Sequence, residues 1–510
     1  MHKAFRLLIG AAALCGPTAA QAEWRKFETQ HFIIYSESND KRVDELATGL
    51  EGVDGLMRMA TGLPMDDEAV KVRIYEMGDE GQVQAALGET NSGVAGFYTS
   101  NALGPYAVTV RKAYAARGDF TAELVLHHEY AHHFMMQYFP GTYPPWYIEG
   151  FAELIGSSKT LPDGKIAYGW PAKHRGNDIA AHWVNMRDVL LTPPEKLHRF
   201  DLYGQGWAMT HYLTFSKERS PQLRRYLEAL TAGKSPQEAA QAFGDLAVLD
   251  REAHAYLLNG VFDAHPVGVP VHQPVVQKVS IVDAAEAALI PETIAFSDFD
   301  LTQVRKDGDR EQELRLRQKI LAHVRAKAAQ FPNDPYALYL LAQVESANGD
   351  KQAAGVAADR LLAIQPAHVG GMVVKSLLLS DAAGTMTGAA RVQKAAEARH
   401  LAMAANKLNA DNALTYVAFY RSYLAAGTPA PASAVDGLAV AVEKLPRNDG
   451  IRQLLVDELA NEGKFAAAVF ALSPLANDPH DSPMRTAARE KMAKLKEQAA
   501  SKAATIAAQH

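Results

Sequence analysis

After residue 22 the apolar residues fall into short uninterrupted runs. Phe32 to Tyr35 and Val70 to Tyr75 read as strands, with a helical stretch from about Lys41 to Met59 between them. Gly96 to Tyr98 and Ala107 to Val110 add two strands around Asn101-Ala102-Leu103-Gly104-Pro105, and one of them offers an edge for an extended chain. The period then lengthens. Asp119 to Phe139 predicts a helix with Asp119 as N-cap, Glu123 in the first turn and Pro140-Gly141 as the stop. A second helix starts after Pro144-Pro145 and runs from Trp146 to Ile155, and further helices follow from about Tyr203 to Leu258.

Between Gly260 and Pro291 the prolines Pro266, Pro270 and Pro274 interrupt helical periodicity, so extended connecting structure is expected. Beyond it the chain is rich in Ala and Leu. Pro335 to His368 has the length of a 34-residue tetratricopeptide unit, with Leu338, Leu341, Ala342, Gly349, Ala354 and Pro366 at its packing, turn and terminal positions; Leu361 stands where the unit usually has Ala. Asn412 to Pro446 and Asp449 to His480 have similar lengths, and Met403 to Asp411 resembles the second helix of another unit, so three or four stacked helical pairs are expected. The pattern gives an α+β region followed by an all-α region: residues 1–22 a leader, 23–265 an α+β domain, 266–300 a connection, and 301–500 helical repeats.

Composition narrows the compartment and the chemistry. Residues 1–22 carry Lys3 and Arg6, an apolar stretch from Leu7 to Leu14, and Ala20-Gln21-Ala22, the layout of an export signal cleaved before Glu23. Its removal takes away two of the 52 basic residues and none of the 58 acidic ones, deepening a net charge of −6 that argues against nucleic acid as partner. Cys15, the single cysteine, lies inside that segment, and Leu14 is too large for lipoprotein processing. The mature chain is therefore expected to lack thiols, which suits a periplasmic or secreted location and leaves His, Asp and Glu to hold any metal. No later apolar run approaches the roughly 18 residues that cross a bilayer.

The candidate chemistry centres on His128-Glu129-Tyr130-Ala131-His132. Helical positions four apart project from one face, so His128 and His132 can share an ion, with Glu129 beside them to reach a bound water. Alone, such a motif arises by chance in roughly one chain in thirty of this length. Zinc takes tetrahedral His and carboxylate ligands, and a hydrolytic site keeps one position for water, so one more protein ligand is needed. Glu149, in Trp146-Tyr147-Ile148-Glu149-Gly150-Phe151-Ala152-Glu153, follows after sixteen residues, room for the chain to turn at Pro140-Gly141 and return, and Glu153 shares its face.

With these residues the chain resembles the gluzincin metallopeptidases, the thermolysin-like and aminopeptidase N-like group, over roughly Phe97 to Tyr212. The resemblance implies a zincin-like fold, Zn2+ held by His128, His132 and Glu149, and Glu153 hydrogen-bonded to a ligand His from outside the coordination sphere. It implies hydrolysis of peptide bonds in exported proteins or peptides, by an endopeptidase. Zinc would polarise the scissile carbonyl and bring its water toward a pKa of about 7, while Glu129 takes the proton and passes it to the leaving amine. A later Tyr or His would stabilise the oxyanion, with Tyr203 the first candidate and His211 the second. The spacing between motifs is shorter than in either named group, Ile148 stands where their Asn precedes the Glu, and no G-x-M-E-N segment lies upstream, so the resemblance is to a distinct branch without aminopeptidase recognition.

His127, His133, His174, His182 and His198 have no ligand spacing and read as structural or surface residues. The alternative is a non-catalytic periplasmic interaction protein whose repeats bind a protein partner and whose zinc site is structural or vestigial; a third reading is hydrolysis of a non-peptide amide. A structural site needs no general base, and Glu129 retains one.

Overall fold

The computed structural model describes residues 23–66, 70–87, 96–101, 103–112, 121–176, 183–193, 196–197, 201–297, 310–479 and 483–507. The expected leader with Cys15, the Asp119 cap, His182 and His198 lie outside them.

Six strands form the main sheet: β1 (Arg25–Glu28), β2 (Phe32–Ser36), β3 (Val72–Asp79), β4 (Phe97–Asn101), β5 (Gly104–Lys112) and, arriving from far along the chain, β9 (Lys278–Ile281). Their order is β4-β5-β3-β2-β1-β9. β2, β3 and β5 run parallel, while β4, β1 and β9 join antiparallel to their neighbours. Parallel neighbours need long crossovers, which explains helix α1 (Asp40–Thr61) between β2 and β3 and α2 (Glu80–Leu87) after β3. Both faces of the sheet are apolar because helices cover both. Ile34, Ile74 and Ala107 pack with Leu50, Ala131 and Phe134 on one face; Tyr35, Tyr75 and Val108 pack with Ile290 and Ile294 on the other.

Helix α3 (Ala122–Tyr138) lies on the first face beside α1. Its cap is Thr121, whose side chain accepts from the Leu124 N–H. Helix α4 (Pro145–Gly156) returns along α3, with Pro145 in its first turn. It then enters a helical half-domain of α5 (Met186–Leu191), α6 (Gly206–Phe215), α7 (Ser220–Thr231), α8 (Pro236–Ala240) and α9 (Leu246–Asn259), centred on Trp146, Met209, Tyr226 and Leu249. A small second sheet joins β6 (Lys159–Thr160), β7 (Ile166–Tyr168) and β8 (His265–Val267).

The segment expected to be a plain connection is built into the body. β8 pairs with β7, β9 pairs with β1, and α10 (Ala284–Ser297) covers the sheet. The prolines stopped helix formation around residue 270 but not strand pairing on sheet edges.

From α10 onward the chain is helical: α11 (Arg310–Gln330), α12 (Pro335–Ala347), α13 (Lys351–Ile364), α14 (Val369–Gly384), α15 (Gly388–Leu408), α16 (Ala413–Ala426), α17 (Ala432–Lys444), α18 (Asp449–Asn461), α19 (Phe465–Ala476) and α20 (Pro483–Ala507). Each packs on its neighbours in sequence, forming a serial stack of helical hairpins. The pair α12–α13 occupies the expected 34-residue unit, with Leu338, Ala342, Ala354 and Leu361 buried and Gly349 turning at φ 87°. No helix among the described residues is long and apolar enough to cross a membrane.

Candidate metal centre

The two antiparallel-returning helices α3 and α4 bring three donors together. His128 Nε2 lies 3.1 Å from His132 Nε2 and 3.3 Å from Glu149 Oε2, and His132 Nε2 lies 3.7 Å from Glu149 Oε2. All three side chains are buried. Tetrahedral ligands at zinc distances of about 2.0–2.1 Å stand roughly 3.3–3.4 Å apart, so the three edges bracket what one ion needs. The donor set, two imidazoles and one carboxylate, is also the chemistry zinc accepts in sites that retain an open position.

Electrostatics fit the same role. Burial opposes a charge on His128, but the carboxylates of Glu149 and Glu153 outweigh it and push the imidazole up to about 9. Burial likewise opposes ionisation of Glu149, yet His132 and His128 hold it well below the ordinary carboxylate range. The pocket is thus arranged to stabilise positive charge at its centre.

Glu153 lies one helical turn beyond Glu149 and is buried. Its Oε1 stands 3.6 Å from His128 Nδ1, beyond hydrogen-bond reach. Its bonds go instead to His174 Nε2 at 2.7 Å and to Arg175 Nη2 at 2.6 Å, both on the single turn Lys173–Arg175. These partners hold Glu153 at about 2 against the opposing effect of burial. The expected contact to the ligand His is therefore an electrostatic one, and His174, expected to be structural or surface, is a partner of the site. His132 Nδ1 is buried with no hydrogen-bond partner among the described residues.

Tyr203 sits in a wide turn, Asp201–Gln205, at the start of α6. Its ring lies parallel to that of His128, centroids 6.2 Å apart at 14°, and Arg175 covers it at 4.5 Å. Two glycines allow this approach. A Cβ on Gly150 would lie 2.2 Å from the Gly206 carbonyl oxygen, and one on Gly206 would lie 2.6 Å from that of Trp146, so α4 and α6 cross at backbone contact. Glu129, half-buried on α3, is near enough to act on the charges of both His128 and Tyr203.

His211 is not part of this group. Its Nε2–H donates to the Gly169 carbonyl at 2.9 Å, its Nδ1 pairs with the Tyr256 hydroxyl at 2.7 Å, and Trp207, Phe215 and Phe262 enclose the ring. None of these contacts reaches the His128 cluster, and the residue serves the core.

A second buried cluster, His31, Glu51 and Asp54, has donors close enough for an ion. Protein groups already satisfy it: His31 Nδ1 meets Glu51 at 2.6 Å, Arg58 Nε meets Asp54 at 2.6 Å, and the Tyr130 hydroxyl donates to Asp54 at 2.6 Å. With the Arg58 cation in place it is a hydrogen-bonded brace, and through Tyr130 it fixes the α3 helix against α1.

Neither family models nor curated proteins give a match to the chain. Among solved structures, the chain is similar to a TPR protein described as thermophilic, from Thermus thermophilus, at 22% identity over 37% of this chain and 94% of that one, with a TM-score of 0.31.

Proposed function

We propose that this protein is an exported zinc-dependent metallopeptidase with a zincin-like N-terminal domain and a tetratricopeptide-like helical domain. The observation that carries the reading is the trio of buried donors on His128, His132 and Glu149, with mutual distances of 3.1 to 3.7 Å, formed by two helices that also present Glu129. Zinc held there by His128, His132 and Glu149 would supply Lewis-acid chemistry for a carbonyl and for a water nucleophile near neutral pH.

The chain's own residues supply the rest. Glu129 accepts a proton from the attacking water and returns it to the leaving amine, the task of a half-buried carboxylate at the edge of the cluster. The Tyr203 ring beside His128 at the α4–α6 crossing supports a role in which its hydroxyl donates to the oxygen that gains charge. Glu153, anchored by His174 and Arg175, keeps a negative charge behind His128 and so strengthens it as a ligand. β4 is the outermost strand of the main sheet among the described residues and packs against α3, which suits it to pair with an extended peptide. The helical stack offers a surface for a substrate protein or partner.

Metal analysis and a peptide-library assay on wild type and Glu129→Gln test the reading together. Zinc in both proteins with cleavage by wild type alone is the expected result. Zinc in both and cleavage by neither assigns the chain to the alternative, a scaffold with a structural metal.

A further inference from the structure

The helical stack does not end clear of the candidate metal centre. The Thr142 hydroxyl, in the loop between α3 and α4, lies 3.1 Å from Ser473 Oγ on α19. Pro474 and Asn477 line a cavity of about 20 Å³ together with His132, Met135 and Ile148, space for about one water, so the end of α19 borders the centre on its His132 side. The same stack end presents Arg447 from the loop between α17 and α18. Its Nη1 donates to Asp478 Oδ2 at 2.8 Å, just after α19, and the side chain stays 28% exposed. Burial works against its charge, but Asp478 and Asp449 hold the guanidinium above its usual range, and Glu129 is among the carboxylates that add to this. Arg447 also acts on Tyr98 of the edge strand β4. A cation is therefore bonded to Asp478, the residue after Asn477, which lines the cavity beside His132, and its charge acts on both Glu129 and Tyr98.

We infer that Arg447 is a specificity-determining residue that binds a carboxylate of the peptide substrate beside the metal-binding residues. This rests on the peptidase reading. A guanidinium has five donors in a planar fork, and the described bond to Asp478 employs one end of it, leaving the geometry for a bidentate carboxylate. That carboxylate is either the chain terminus or an acidic side chain. Pro474 and Asn477 crowd the His132 side, which favours a substrate that ends near the site over one that threads through it.

The test measures binding to zinc-loaded Glu129→Gln, which holds peptide without turnover. Three forms of one peptide are titrated: the free acid, the C-terminal amide, and the amide with an internal Gln replaced by Glu. The inference expects the free acid to bind at least tenfold tighter than the amide, and Arg447→Met in the same background to erase that difference. Recovery of tight binding by the Glu-containing amide assigns the carboxylate to a side chain. Arg447→Lys, which keeps the charge without the fork, should show an intermediate preference and serves if Arg447→Met does not fold. Equal binding of all three forms, or an equal weakening of all three by Arg447→Met or Arg447→Lys, overturns the inference, since a merely structural Arg447 affects every form alike. Zinc-bound wild type that hydrolyses none of the forms instead overturns the peptidase reading, an outcome separate from the acid-to-amide ratio.

Discussion

His211 shows how a single residue's surroundings decide between chemistry and structure. It is 1% exposed, bonded at both ring nitrogens and ringed by aromatics. Burial pushes its pKa down to about 4, only partly opposed by the Gly169 carbonyl. The folded state thus binds fewer protons than the unfolded one between about pH 4 and 6.5, and stability rises with pH across that window. The contribution is complete above about pH 6.5 and is lost as pH falls toward 4; from pH 7 to pH 5 the loss is on the order of 2 kcal/mol. Thermal unfolding of the metal-free protein at the two pH values should include this drop, and His211→Gln should make the total smaller by that amount. At the same scale, His128, Glu129 and His132 are legible in the sequence because they share one helix, whose period fixes which side chains meet. His174 and Arg175 are not, because their meeting with Glu153 depends on a loop whose path no periodicity encodes.

At the level of elements, the centre depends on how closely helices cross. The segment Glu149-Gly150 is readable as a ligand followed by a small residue, but the reason for the glycine is the Gly206 carbonyl of a helix more than fifty residues away. Gly150→Ala puts a methyl group 2.2 Å from that oxygen. It should destabilise the protein by about 1–3 kcal/mol, the usual cost of overpacking, and move Tyr203 away from His128. Chemical denaturation gives the first number. A Gly150→Ala protein as stable as wild type would mean that α4 and α6 do not cross at backbone contact. The strands β2, β3, β4 and β5 follow from their apolar runs, whereas β1 and β9 are four-residue segments, and β9 acquires its register only from β1, some 250 residues earlier. The cap of α3 moved from Asp119 to Thr121 because either residue type can accept an N–H, and only the helix start decides which does.

Across the whole molecule, α10 joins the two regions. Ile290 and Ile294 face the sheet, while Ala285, Leu289 and Ala295 pack with Ile320, Val324 and Val344 of the helical stack. A reading from prolines alone makes residues 266–300 a connection; the structure makes much of it shared core. Hydrogen exchange separates the two. Amides of Lys278–Ile281 and Ala284–Ser297 should be protected to nearly the extent of β2 and β3, whereas exchange within seconds would mark a flexible connection. The stack's far end returns to the candidate metal centre through Ser473, Pro474 and Asn477, so the helical region both continues the core and borders the candidate site.

In the proposed enzyme, His128, His132 and Glu149 together hold one zinc ion. Metal content after equilibration with zinc and removal of excess tests this most directly, comparing wild type with a folded Glu149→Ala. One zinc per wild-type chain and close to none in the variant is the expected result; equal zinc in the two would remove Glu149 from the site.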